Sequence, residues 1–420
     1  MFIGILLLST LLLEVFVLTY LEYISWKTLY TPLTCLMVPY LLVLLITLGV
    51  AGHNHLVSFY YPSLFVWNIG LALFAIPSFI LSLATKKYPL SFPKGIKEAN
   101  YSKMLGLVSI LIILAFSIRF VHVLHTTTEL FGTDEFAEEF CGHGLWAHLR
   151  SFIVPLLIIA IYHVSKKRWW LWGIIIVLLL IQLLYMVKGA IIISVVAGLF
   201  IRLYAGKTHL SVSLITKSFI GAFSVFLLVY MVLPLLGKQQ GVGNIELLEL
   251  VSGHFLHYLT SGTLGYSYDL QIGCPDKAGF EILVSPFVNL YHVLTGSKEE
   301  LLSPVNPYYH FTGISYTNVR TFFGTMHIYC NPWQFVLYTL VASTVLNLIQ
   351  LMARAKGDVF IYAILCYFCG LMAMGWFEFY LFHLAIIEVP LITLLLMALA
   401  RWENDFNLRI HHEHTTKLTV

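Results

Sequence analysis

The chain has 420 residues, of which 59% are hydrophobic and 11% charged, and its formal net charge is +3. A water-soluble domain carries about 25% charged residues, so this composition excludes one. Basic residues spread over short loops likewise exclude a nucleic-acid surface.

Along the chain, apolar blocks of membrane-spanning length follow one another with short connections. About 20 residues cross a hydrocarbon core, and backbone polar groups in lipid must be satisfied within the segment, which makes these blocks helices. They predict spans near 2–20, 28–50, 64–84, 104–124, 150–163, 169–187, 189–204, 218–236, 333–352, 358–376 and 379–400. The first is apolar from its second residue, without a basic leader or a small-residue cleavage site, and reads as a retained helix rather than a signal peptide. The expected fold is an all-α polytopic helix bundle of about eleven spans. It forms a single integral membrane domain over 1–420, interrupted by one long polar loop at 237–332.

Cytoplasmic loops collect Lys and Arg. The strongest clusters are Lys86/Lys87/Lys94/Lys97/Lys103, Lys166/Lys167/Arg168, Lys207/Lys217 and Arg354/Lys356, and pairs of spans separate them. One topology therefore places all four inside. It leaves the N-terminus, the acidic loop Glu129/Asp134/Glu135/Glu138/Glu139 and the 237–332 loop outside, with the tail His411-His412-Glu413-His414 solvated in the cytoplasm. Cys141, Cys274 and Cys330 share the outer face, which allows one disulfide, whereas Cys366 and Cys369 lie inside an apolar span and read as packing residues.

The loop is rich in His, Tyr, Ser and Asn. Apolar residues at helical spacing predict short helices at Ile245–Tyr258 and Phe280–Leu294, punctuated by Pro275, Pro286, Pro304 and Pro307. No run alternates strongly enough to predict a sheet. Ionisable groups at the membrane edge are costly and mark function. Lys188, in the tight Met186-Val187-Lys188-Gly189 turn, puts a cation at the outer mouth, suited to a phosphate or to snorkelling. Arg320 is the stronger cation, since arginine holds phosphate oxygens bidentately; Asn318 and Thr321 flank it. Its competing role is a salt bridge to Asp269 or Glu281.

His254 and His257 share a helical face, and with His310 they are candidates for a general base or for neutralising phosphate. The pair lacks a marked third ligand, so no metal site is expected. Tyr258, Tyr268 and Tyr308 offer sugar-stacking faces, and Glu378 offers a carboxylate that accepts a sugar hydroxyl proton. There is no Walker loop, no GxGxxG in context and no nucleophile elbow. An outward site without nucleotide machinery implies a substrate already activated in the membrane, such as a polyprenyl-linked glycan.

The segment Tyr316-Thr317-Asn318-Val319-Arg320-Thr321-Phe322-Phe323-Gly324, followed by Tyr329 and a return to a span at Trp333, resembles the end of the large outer loop in bacterial Wzy-type oligosaccharide repeat-unit polymerases. His257-Tyr258-Leu259-Thr260-Ser261-Gly262 resembles the opening of that loop, and Lys188-Gly189 stands where relatives carry Ser-Arg-Gly. The resemblance implies a metal-independent GT-C-like glycosyltransferase of the inner membrane that needs no cofactor and builds O-antigen or capsule. Its substrates would be undecaprenyl-diphosphate-linked repeat units, with a chain-length regulator and a flippase as further partners. Arg320, His257, His310 and Glu378 would be catalytic. Lys188, His254, Tyr258, Tyr268, Tyr308, Asn318 and Thr321 would bind substrate. The related O-antigen ligase shares the plan; a transporter would show internal repeats and interrupted helices instead.

Overall fold

The computed structural model describes residues 2–417 apart from 54, 89–97, 127–132, 186–187, 236–243 and 274–278. The protein is nearly all-α. Its helices are α1 (Phe2–Trp26), α2 (Pro32–Val50), α3 (Leu64–Ser82), α4 (Glu98–Thr126), α5 (Asp134–Cys141), α6 (Gly144–Ser151), α7 (Ile153–His163) and α8 (Leu171–Leu184). They continue as α9 (Lys188–Tyr204), α10 (Val212–Leu235), α11 (Asn244–Ile272), α12 (Ser285–Thr295), α13 (Phe322–Tyr329), α14 (Pro332–Lys356), α15 (Val359–Ala373) and α16 (Ala385–Lys417).

Among the described residues, seven helical stretches are long and apolar enough to cross a membrane, which makes this a multi-pass membrane protein. They are Phe2–Trp26, Pro32–Val50, Tyr61–Lys86, Lys103–Thr126, Gly144–His163, Pro332–Lys356 and Ala385–Glu403. Shorter apolar helices occupy Leu171–Leu184, Gly189–Tyr204, Val212–Gly221, Phe280–Thr295 and Val359–Ala373.

The chain divides into two compact units. The first comprises 1–90, 211–351 and 368–386. Here α2 starts sharply because Thr31 accepts the Thr34 N–H at 3.2 Å and Pro32 takes the first helical position, where no N–H is needed. Tyr40 and Trp67 stack with centroids 3.3 Å apart, and Phe323 meets Trp67 edge-on at 4.9 Å. The second unit comprises 91–210, 352–367 and 387–420. Its centre is α7, where Leu156, Leu157, Ile158, Ile159 and Ala160 are all fully buried, as in a helix surrounded by others. Arg202 closes the end of α7 by donating to the carbonyls of Ile161 at 2.9 Å and Val164 at 3.1 Å.

Two expectations for the polar loop change. The short helix near 245–258 is part of one long helix, α11, in which Gly262 and Gly265 admit close packing rather than ending the helix. A two-stranded antiparallel hairpin also forms, β1 (His310–Phe311) with β2 (Tyr316–Thr317), pairing His310 with Thr317 and Phe311 with Tyr316. Strands of two residues leave no periodicity to read. Cys141 and Cys330 are buried thiols rather than disulfide partners, and Cys274 lies outside the described residues.

Candidate functional site

Two turns of α11 shape the polar centre of the first unit. Gly262, Gly265 and Asp269 recur at i, i+3 and i+7, so they share one face. A Cβ at Gly262 would stand 2.4 Å from the Phe377 carbonyl oxygen and 2.6 Å from that of Trp376, so the connection carrying Glu378 lies directly on the helix. A Cβ at Gly265 would meet Arg320 Nη1 and the Val319 oxygen, both at 2.9 Å. These two glycines allow the approach that brings Arg320 to Asp269.

Asp269 is fully buried and Arg320 is 1% exposed. Nε of Arg320 donates to Asp269 Oδ2, and Nη2 donates to Oδ1 at 3.0 Å. Nη2 also reaches the Tyr308 carbonyl at 3.4 Å, while Nη1 donates to the carbonyls of Val319 at 2.9 Å and Thr317 at 3.5 Å. A guanidinium has five N–H donors, and all five have acceptors here. The phosphate-binding role expected of Arg320 does not fit this geometry, because no donor is left over. Its competing role, the salt bridge to Asp269, is the one built.

His310, on β1, places Nε2 2.5 Å from Asp269 Oδ1 and is 17% exposed. Tyr268 lies beside it with ring centroids 5.1 Å apart. The cluster thus runs from a buried arginine through a buried carboxylate to a partly exposed imidazole. Asp269, which the sequence marks only as an ion-pair partner, is its centre. Tyr308 contributes a carbonyl to this cluster rather than a ring face.

The flanking residues fix the chain on either side. Asn318 Nδ2 donates to Tyr309 OH at 3.2 Å and to the Asn306 carbonyl at 3.4 Å, tying β2 to the preceding loop. Thr321 caps α13 by accepting the Gly324 N–H at 3.2 Å, and it accepts the Trp67 indole N–H at 3.0 Å. These contacts make both residues part of the scaffold. The hairpin turn is seated by Val57 N–H donating to the Thr312 carbonyl at 3.0 Å, and Gly313, at φ +104°, passes so close to the His55 carbonyl that no side chain fits.

His257 is buried with Nδ1 3.1 Å from Thr312 Oγ1. Burial, reinforced by nearby His254, pulls its pKa down to about 4, so the ring is neutral at neutral pH. His254 is half-buried one turn away on α11. Tyr258 lies over Phe377, with centroids 6.1 Å apart and rings nearly parallel. Glu378 is half-buried in the connection between α15 and α16, and burial pushes its carboxyl up to about 7. Lys188 opens α9, but its side chain lies outside the described residues. Of the expected site residues, His310, Arg320 and Tyr268 come together around Asp269. His254, His257 and Tyr258 line α11 further back along the helix.

Among the described residues, no group of three or more His, Cys, Asp or Glu side chains is arranged to hold a metal ion. Residues 55–406 match a family described as "Family of unknown function (DUF6337)", and the chain belongs to that family. No curated protein and no solved structure matches the chain.

Proposed function

We propose that the protein is a metal-independent glycosyltransferase that polymerises polyprenyl-diphosphate-linked repeat units into O-antigen or capsule. In this reading it is a GT-C-like bundle of about eleven spans, working on the outer face of a bacterial inner membrane. The observation that carries the reading is the Asp269–His310 pair, anchored by Arg320, in the one long polar excursion of a multi-pass protein.

A carboxylate on one imidazole nitrogen fixes the tautomer and raises the basicity of the other. Asp269 Oδ1 stands 2.5 Å from Nε2, so Nδ1 is the nitrogen of His310 assigned here as the acceptor. Nδ1 then takes the proton of a sugar hydroxyl on one lipid-linked unit. The hydroxyl oxygen bonds to the anomeric carbon of the second unit, the anomeric C–O bond to phosphate breaks, and polyprenyl diphosphate leaves. Arg320 is a positioning residue in this scheme: through Nε and Nη2 it holds the Asp269 carboxylate in place. Tyr268 packs against the base, and Tyr258, beside Phe377, offers a sugar-stacking face near Glu378.

The test is the glycan of a strain carrying His310→Ala. Single repeat units should remain on the lipid carrier, while Asp269→Asn lowers extension without abolishing it. Long polymer at normal protein levels in His310→Ala would overturn the assignment of the base. In a deletion strain, long undelivered polymer would make the protein a ligase, and an unchanged surface glycan would overturn the transferase reading altogether.

A further inference from the structure

We propose that Arg150, in the second unit, is the anion-binding group of a site for a phosphate-type oxyanion carried on a lipid. The inference goes beyond the transferase reading and survives its failure.

Arg150 lies near the start of the apolar span Gly144–His163, where an uncompensated charge is costly. Nη1 donates to the Cys141 carbonyl at 3.3 Å, and the guanidinium also hydrogen-bonds the Cys141 side chain. The guanidinium carbon stands 3.4 Å over the centre of the Tyr185 ring. Among the described residues no carboxylate pairs with it. Neighbouring acids of this unit have other partners. Glu139 takes Arg119 at 2.7 Å, and Glu138 takes His143 at 3.7 Å. Glu388 takes His148 on one oxygen and Ser151 on the other, each at 2.5 Å.

What remains is a half-buried guanidinium with several N–H donors uncommitted to any oxygen of the described protein. The aromatic face explains how the charge is tolerated at this depth, since a ring quadrupole stabilises a cation without occupying its donors. It also holds the planar fork in place, so little rotamer entropy is lost when an acceptor arrives. The acceptor that matches several converging guanidinium N–H groups is a phosphate oxygen pair. In a span at the membrane edge, that phosphate arrives on a lipid, either the diphosphate of a polyprenyl carrier or the headgroup of an anionic phospholipid.

The experiment uses the purified full chain in neutral detergent. Binding is titrated with farnesyl diphosphate, with phosphatidylglycerol in mixed micelles and with inorganic pyrophosphate, and thermal unfolding is followed in parallel. Wild type should bind at least one lipid probe, and Arg150→Ala should weaken that binding about 10- to 100-fold, the loss of charged hydrogen bonds. Arg150→Lys should recover part of it, and Tyr185→Leu should weaken it several-fold. Farnesyl diphosphate binding assigns the site to a prenyl carrier; phosphatidylglycerol binding alone assigns it to a headgroup. No lipid binding by wild type, or equal binding by Arg150→Ala, would overturn the proposal. Pyrophosphate binding as tightly as either lipid would overturn its lipid part. If Arg150→Ala does not fold, Arg150→Gln, which removes the charge and keeps a planar amide over the ring, carries the same test.

Discussion

Arg320, in the first unit, gives every N–H to an oxygen: two to Asp269 and one each to Tyr308, Thr317 and Val319. Arg150, in the second, reaches the carbonyl and the thiol of Cys141, gives nothing to a carboxylate among the described residues, and rests over Tyr185. Both are arginines of a membrane protein, and in a low dielectric each needs its charge answered. One is answered by a carboxylate and carbonyls, which makes it structure. The other is answered by a ring face, which leaves it chemistry to do. The count of committed donors separates the two roles better than sequence neighbourhood does, since the polar, tyrosine-rich surroundings of Arg320 looked the more functional.

Stability should separate the two arginines most strongly. Removing one partner of a buried, hydrogen-bonded charge pair costs about 3–5 kcal/mol, so Arg320→Ala should lose that much in unfolding measured in detergent. Arg150→Ala, which abandons no buried carboxylate, should cost about 1 kcal/mol. Equal losses would mean that the two arginines carry the same structural weight. The next largest effect tests how Arg320 reaches its partner. Gly265→Ala sets a methyl 2.9 Å from Arg320 Nη1 and the Val319 oxygen, and overpacking of this kind costs about 1–3 kcal/mol. Unfolding midpoints matching wild type would mean that the loop moves freely there.

Two titrations in the first unit should act in opposite directions. His257 has a folded pKa of about 4 against an ordinary value of 6.5. The unfolded chain then binds more protons between those values, so this contribution to stability is present above about 6.5 and is lost as pH falls toward 4. Glu378 has a folded pKa of about 7 against 4.5, so its contribution is present below 4.5 and is lost as pH rises through 7. Comparing pH–stability curves, His257→Gln should flatten the acid limb and Glu378→Gln the neutral one. A curve unchanged by either substitution would contradict that residue's burial. Thr321→Ala removes the α13 cap and leaves the buried Trp67 indole N–H without its acceptor, so it should cost about 2–3 kcal/mol in the same unfolding assay. Ser297→Cys, on an exposed stretch, should leave stability untouched and react with an impermeant thiol reagent in intact spheroplasts. Labelling only after lysis would place the loop on the inner side and overturn the outward reading of the site.

The sequence made the helical, membrane-spanning class plain because long apolar runs have one structural solution in lipid. The polar excursion was equally plain, as a loss of that rhythm. Its internal order was not. Asp269 sits 51 residues before Arg320, and nothing local distinguishes it from Glu281 as a partner. Gly262 and Gly265 carry no sign in the sequence that they let other backbone and Arg320 approach α11. Arg150 was hidden for the opposite reason: the ring that holds it, Tyr185, lies 35 residues on, just past the end of α8, and sequence carries no sign of a cation over an aromatic face.

The bond from Trp67 to Thr321 spans 254 residues. At roughly 5–20 residues per second of synthesis, α3 waits inside the nascent protein for tens of seconds before its acceptor exists. Until the end of the polar loop arrives, the Trp67 indole N–H lacks the acceptor it has in the folded chain. A chain stopped short of residue 321 would keep its apolar helices and lack the lock between them and the loop, so maturation of this site is a late event in the life of the chain.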